Sequence, residues 1–190
     1  MAELFAILAG LIIIAGAPPY LYDILKGKTK PQRVTWFIWG VLSTIAFISQ
    51  AQLNGGWSLL FVGLNALGGI LVFLLSLHYG VGGWTRLDKV ALVVAFIGVI
   101  ISLVIKQPIV ALAGVVLADL AGLVPTIRKT LRNPESETTI TWLLIGTASL
   151  LGALSVGRLE YSLLLYPVYL ALADYGVVVA QVVGRSALKR

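Results

Sequence analysis

Seven long apolar runs, at about 3–25, 34–53, 58–78, 89–105, 109–131, 140–156 and 161–183, take up almost the whole chain. The breaks between them are short and polar: KGKTKPQR, NGGW, YGVGGWTRLD, KQP, RNPESETT and GRLE. A helix needs about 20 apolar residues to cross the hydrocarbon core of a bilayer. The runs are continuous rather than alternating, which favours helices over barrel strands, because a helix pairs every backbone amide within its own segment. The sequence therefore predicts an all-α membrane protein with seven transmembrane helices. At 59% hydrophobic and 12% charged, with a mean hydropathy of +0.98, the chain lies far from the roughly 45–50% apolar and 25% charged residues of soluble domains. Soluble folds and disorder are excluded on that ground, and the absence of cysteine excludes a disulfide framework or a cysteine-built zinc site.

Charge sets the expected orientation. With the N-terminus outside, the inner side receives Lys26, Lys28, Lys30, Arg33, Arg86, Lys89, Arg128, Lys129, Arg132, Arg185, Lys189 and Arg190, and the outer side keeps Lys106 and Arg158. Twelve against two fits N-out, C-in under the positive-inside rule, in a cell (plasma or inner) membrane. The pI near 9.7 then reflects topology and contact with anionic lipid, and calls for no nucleic-acid partner. Glu3 stands where a signal peptide would be basic, and the run continues through APPYLY without a small-x-small cleavage site, so helix 1 is expected to remain in the mature protein.

Sliding the sequence on itself by 106 positions aligns GAPPYLYDILKGKTKPQRVTWFIWG (16–40) with GLVPTIRKTLRNPESETTITWLLIG (122–146), with no gap. Gly16, Pro19, Leu25, Thr35, Trp36 and Gly40 fall on Gly122, Pro125, Leu131, Thr141, Trp142 and Gly146. A repeat means two copies of one structural unit. The offset carries helices 1, 2 and 3 onto 5, 6 and 7 and leaves helix 4 unpaired. An odd linker makes both copies enter the bilayer the same way round, predicting a 3+1+3 architecture of parallel repeats related by an axis along the membrane normal. The units are 1–78, a linker helix with its loops at 79–108, and 109–190 including the basic tail.

Proline late in a helix, a basic loop and then a Trp-bearing second helix, all given twice in seven spans, resembles the SWEET and PQ-loop (MtN3-like) superfamily. The residues that carry the resemblance are APPYLYDILKGKTKPQRVTW and GLVPTIRKTLRNPESETTITW. Where the naming dipeptide of that family falls, this chain has Pro19-Tyr20 and Pro125-Thr126. Helices 2 and 6 lack the proline of sugar-carrying members, leaving Gly40 and Gly146 as their flexible points. The resemblance implies alternating-access transport of a small solute, such as a sugar, an amino acid or a vitamin-like molecule. Protons are a candidate co-substrate, because proton-using members carry an aspartate in the seventh helix. The same fold also serves a non-transporting receptor, so a ligand-binding receptor or membrane scaffold is the alternative reading.

Two acidic residues lie at membrane depth: Asp119 in helix 5 and Asp174 in helix 7. A carboxylate there costs several kcal/mol unless it is protonated, paired or wetted, so both are candidates for binding substrate or protons. A three-residue gap before helix 7 would set Asn65 of helix 3 opposite Asp174; without it Asn65 pairs with Ala171. Pro19 and Pro125 each remove a helical hydrogen bond at equivalent sites and, with Gly40 and Gly146, are gating candidates. Trp36 and Trp142, near the inner ends of helices 2 and 6, are expected to act as interfacial anchors or, with Tyr20, as pocket aromatics; Trp39, Trp57 and Trp84 read as anchors too. Ser43, Thr44, Gln50, Ser149 and Tyr175 are further polar positions able to line a cavity.

Other seven-span classes fit poorly. A retinal Schiff base needs a lysine in the last helix, and 161–183 has none. An intramembrane enzyme would need a nucleophile and base or paired catalytic carboxylates. A lone His78 at a helix end and two isolated aspartates do not supply them, so no catalytic residue, metal or cofactor is expected. Two repeats complete a pathway within one chain, and oligomerisation is not required.

Overall fold

The computed structural model describes residues 2–52, 58–105, 108–155, 159 and 161–188. Among them the chain is helical, with seven α-helices: α1 (Ala2–Leu25), α2 (Arg33–Gln52), α3 (Ser58–Tyr79), α4 (Arg86–Val104), α5 (Pro108–Arg132), α6 (Thr139–Ser155) and α7 (Tyr161–Leu188). A 3-10 turn, Pro134–Ser136, precedes α6. Each helix coincides with one apolar run to within a few residues at its ends. Trp57, Lys106, Arg158, Glu160, Lys189, Arg190 and the side chain of Gln50 lie outside the described residues.

Among the described residues, three segments, Glu3–Leu25, Arg86–Val104 and Leu164–Leu188, are long and apolar enough to cross a bilayer. α2 and α5 carry Thr35, Asp119 and Thr126 on faces buried inside the bundle. The outward faces are the reverse, with Leu67, Phe96 and Leu172 each about two-thirds exposed, as suits a surface covered by lipid.

α3 packs against both α1 and α2, and α7 packs against both α5 and α6. α1 also packs on α6 and α2 on α5. α4 lies along α5 and touches α2. Small residues allow these close approaches, as is usual where lipid-like side chains give no hydrophobic gain from association. A Cβ added to Gly98 of α4 would stand 2.5 Å from the carbonyl oxygen of Gly114 in α5, and one on Gly69 of α3 would be 3.1 Å from Cα of Gly40 in α2. The α4 contact is filled by Val34, Ile38, Ala91, Ala95, Ala118 and Ala121.

The loops at 26–32, 80–85 and 133–138 and the last turns of α7 meet at one end of the bundle, which carries most of the cationic side chains. α1 stops at Gly27, whose φ of 71° closes the helix in the left-handed region open to glycine. Gln32 and Val81 form a parallel bridge, and Arg33 Nε donates to the carbonyl of Ser76 at 2.9 Å. Thr85 and Asp88 form a capping box at the start of α4. Asp88 is buried and accepts from Gln32 Nε2 at 2.8 Å and from the backbone of Gly83 at 2.9 Å and Thr85 at 3.0 Å. Arg185 of α7 pairs with Glu135 at 2.7 Å.

Candidate functional site

Residues that recur in the sequence at an offset of 106 make hydrogen bonds between helices. Thr35 of α2 donates its hydroxyl to the carbonyl of Gly122 in α5 at 2.5 Å. Thr141 of α6 donates to the carbonyl of Gly16 in α1 at 2.9 Å. Each accepting glycine stands three residues before the repeated proline, Pro19 or Pro125, which breaks the backbone ladder of that turn. The glycines also admit the facing helix. A Cβ on Gly16 would meet Leu144 at 3.5 Å, and one on Gly122 would meet Ile38 and Trp39 at 3.3 Å. Both prolines lie inside continuous helices, as do Pro18 beside Pro19 in α1 and Pro167 in α7.

Next to this seam lies a cluster of aromatic rings. Tyr20 packs on Trp36 at 5.3 Å between centroids and edge-on to Trp142 at 6.2 Å, while Trp39 packs on Trp36 at 5.4 Å and on Trp142 at 5.9 Å. The anchoring expectation is corrected here. Trp142 is 2% exposed and hydrogen-bonded inside the protein, where it packs with Leu123, Ala173 and Val177. Trp36 is half-buried and donates to the Tyr20 hydroxyl at 3.2 Å. Trp84 is 81% exposed in the loop before α4.

The centre of the basic end is Glu137, whose side chain is fully buried. One oxygen pairs with Lys129. The other accepts from the Tyr20 hydroxyl at 3.0 Å and from Trp142 Nε1 at 3.0 Å, and the backbone carbonyl accepts from Gln181 at 2.8 Å. From sequence, a glutamate in RNPESETT reads as a solvated loop residue. The signals that could have singled it out are weak: it lies in the loop just ahead of the repeated Thr141-Trp142 pair, and the tyrosine that bonds it is 117 residues away.

Asp119 and Asp174 form a second polar centre. Both are buried. Asp119 accepts from Tyr169 at 2.8 Å, and Asp174 accepts from Ser149 at 3.4 Å. Tyr166 stacks on Tyr169, with ring centroids 6.3 Å apart. Neither carboxylate makes an ion pair with a described residue. The buried indole N–H of Trp39 has no hydrogen-bond partner among the described residues. The structure thus adds Tyr169 and Ser149, and Tyr166 through Tyr169, to the two aspartates singled out from sequence.

Asn65 is half-buried on α3. The buried positions Ala66, Gly69, Val72 and Ser76 of α3 have the spacing of Ala171, Asp174, Val177 and Gln181 in α7, and equally of Asp174, Val177, Ala180 and Gly184. In neither alignment does Asn65 fall on Asp174, so a three-residue gap is not the one that equates the buried faces. Gly40 lies against Gly69, and Gly146 lies against the ring of Tyr175, which shares a hydrogen bond with Thr147 at 3.0 Å. A groove of about 290 Å³ around Gly40, lined by Trp36, Phe37, Thr44, Ile70 and Phe73, is almost wholly apolar.

Comparison with family models, curated proteins and solved structures finds no match to this chain.

Proposed function

We propose that the chain is a small-solute membrane transporter of the SWEET and PQ-loop type, working by alternating access between two parallel three-helix repeats, 1–78 and 109–190, joined by α4. The observation that carries the reading is the reciprocal pair of bonds, Thr35 to Gly122 and Thr141 to Gly16, made between the halves by residues 106 positions apart. A two-fold relation of this kind puts identical surfaces of the repeats against each other, and a rocking motion about it exposes a central site to each side in turn. The matching order of packing in the halves supports the same architecture. The gathering of three loops and the end of α7 at one basic end supports seven crossings with that end in the cytoplasm.

Asp119 and Asp174, with Tyr166, Tyr169 and Ser149, are the proposed site for substrate or protons. Buried carboxylates without a cationic partner mark ion or substrate pathways in membrane proteins. The bilayer and a small-molecule substrate are the partners the reading requires. The test is uptake into proteoliposomes, guided by a thermal-stabilisation screen of the purified protein against sugars, amino acids and vitamins. Saturable uptake of a stabilising compound is the expected result. Stabilisation without flux across all hits would replace the transporter by a receptor on the same fold.

A further inference from the structure

We propose that Glu137 is a latch that holds the basic end of the bundle shut, released from one side only by the part of α1 beyond Pro19. The inference deepens the transport reading and rests on it for what an open basic end is used for.

Among the described residues, and apart from the bond of Thr126 to Thr35, the bonds that cross between the halves at this end are made by a short piece of each. From the first half come Tyr20, Asp23, Thr29 and Lys30; from the second come Lys129, Ser136, Glu137 and Thr138. Tyr20 donates to Glu137 at 3.0 Å, and Thr138 donates to Asp23 at 2.9 Å. Thr29 and Thr138 share a bond at 2.5 Å. Lys129 Nζ donates to the Lys30 carbonyl at 2.6 Å, and the Lys30 amide donates to the Ser136 carbonyl at 2.9 Å. Tyr20 and Asp23 follow Pro19 on α1, and the Thr29 amide is bonded to the Asp23 carbonyl at 3.1 Å, so bending there carries these three away together.

Glu137 is suited to release because of how its donors are divided. Lys129 and Trp142 belong to its own half, and only Tyr20 comes from the other. Withdrawing Tyr20 costs one hydrogen bond but leaves the carboxylate paired, which avoids the large penalty of an orphaned buried charge. The device has no counterpart across the pseudo-two-fold. The residue 106 positions before Glu137 is Pro31, which offers no side-chain acceptor, and the residue equivalent to Tyr20 is Thr126, whose hydroxyl donates to Thr35 at 2.8 Å. The repeats share a seam, but the latch belongs to one side.

The chain has no cysteine, so Lys28→Cys and Arg132→Cys, both exposed at the basic end and one in each half, can carry spin labels without further changes. Pulsed dipolar spectroscopy of the labelled protein in lipid nanodiscs reads the distance between them. In Tyr20→Phe and in Glu137→Gln a longer-distance component is expected that is minor in the parent, while Thr126→Val keeps the parent distribution. Tyr20→Phe removes a single hydroxyl and keeps the ring; an unchanged distribution in that variant overturns the latch whatever Glu137→Gln does. Equal widening in Thr126→Val overturns its one-sidedness. No substrate is needed, so failure of the transport reading, seen as absence of flux in the parent protein, is distinguishable from failure of the latch.

Discussion

Thr35 and Thr141, 106 positions apart, make the same bond in opposite directions: the first reaches from α2 to the Gly122 carbonyl of the second half, the second from α6 to the Gly16 carbonyl of the first. Both hydroxyls are buried. Hydrogen bonds between membrane helices contribute about 0.6 kcal/mol on average. Thr35→Val and Thr141→Val, which keep side-chain shape, should each lower thermal stability in detergent by about that amount. Thr35→Val should cost more, since it also leaves the buried Thr126 hydroxyl without its acceptor. Two melting curves superimposed on that of the parent would remove the seam as a stabilising contact.

That seam was legible as a pattern before it was legible as a structure. Glycine, proline, threonine and tryptophan recur at one offset, and three of them act together: glycine opens the approach, proline loosens the accepting turn, and threonine spans the gap. The helices were legible because a run of about 20 apolar residues has few alternatives. Glu137 was not, because the tyrosine that closes over it, Tyr20, is 117 residues away, and local polarity says nothing about what covers a loop. The tryptophans illustrate the same limit. The repeat found Trp36 and Trp142, but only the packing with Leu123, Ala173 and Val177 decides that Trp142 faces protein instead of the bilayer surface.

Glycine substitutions should divide by what a methyl group would meet. At Gly98 and Gly114 a Cβ would lie about as close to the opposing carbonyl as a hydrogen-bonded atom, at 2.5 and 2.6 Å, so Gly98→Ala and Gly114→Ala must push α4 and α5 apart. Gly10 and Gly68 have nothing within 4 Å. Alanine there should be neutral or stabilising, since glycine disfavours a helix by about 1 kcal/mol. Melting temperatures of the four variants check the ranking, and tolerance at Gly98 equal to that at Gly68 would contradict the α4–α5 contact.

The proposed orientation predicts which side reagents reach. In intact cells, a membrane-impermeant thiol reagent should label Glu3→Cys but not Lys28→Cys, Trp84→Cys or Arg132→Cys, which should react only after permeabilisation. All four positions are exposed, so reactivity reports sidedness. Labelling of Lys28→Cys in intact cells would invert the topology or remove it.

Asp174 is expected to link transport to protons, with Asp119 second in line. A bound proton can favour one conformation only if the two states hydrate the carboxylate differently. Asp174→Asn preserves shape and can still bond to Ser149, but it cannot titrate. It should fold and bind substrate yet lose the pH dependence of uptake, and Asp119→Asn should do the same while also weakening the hold of Tyr169. If both variants keep the parent pH profile, the site binds solute alone and the protein is a facilitative carrier.

Pro19→Ala and Pro125→Ala test whether the two halves contribute equally to gating. Each proline frees a carbonyl and allows its helix to bend, and alternating access depends on that change of state more than on the pocket. Uptake should therefore slow in both variants while substrate affinity stays within a few-fold of the parent. The effects should be unequal. Beyond Pro19 the chain carries Tyr20, Asp23, Thr29 and Lys30, the first-half partners of the bonds across the basic end, whereas Thr126, just past Pro125, is held to Thr35 in the buried seam. Straightening α1 thus obstructs release of Glu137, and straightening α5 does not. Pro19→Ala should show the larger loss of rate in single-turnover uptake. Equal losses would place the gate on the two-fold seam itself, and unchanged rates in the double variant would make both prolines static kinks.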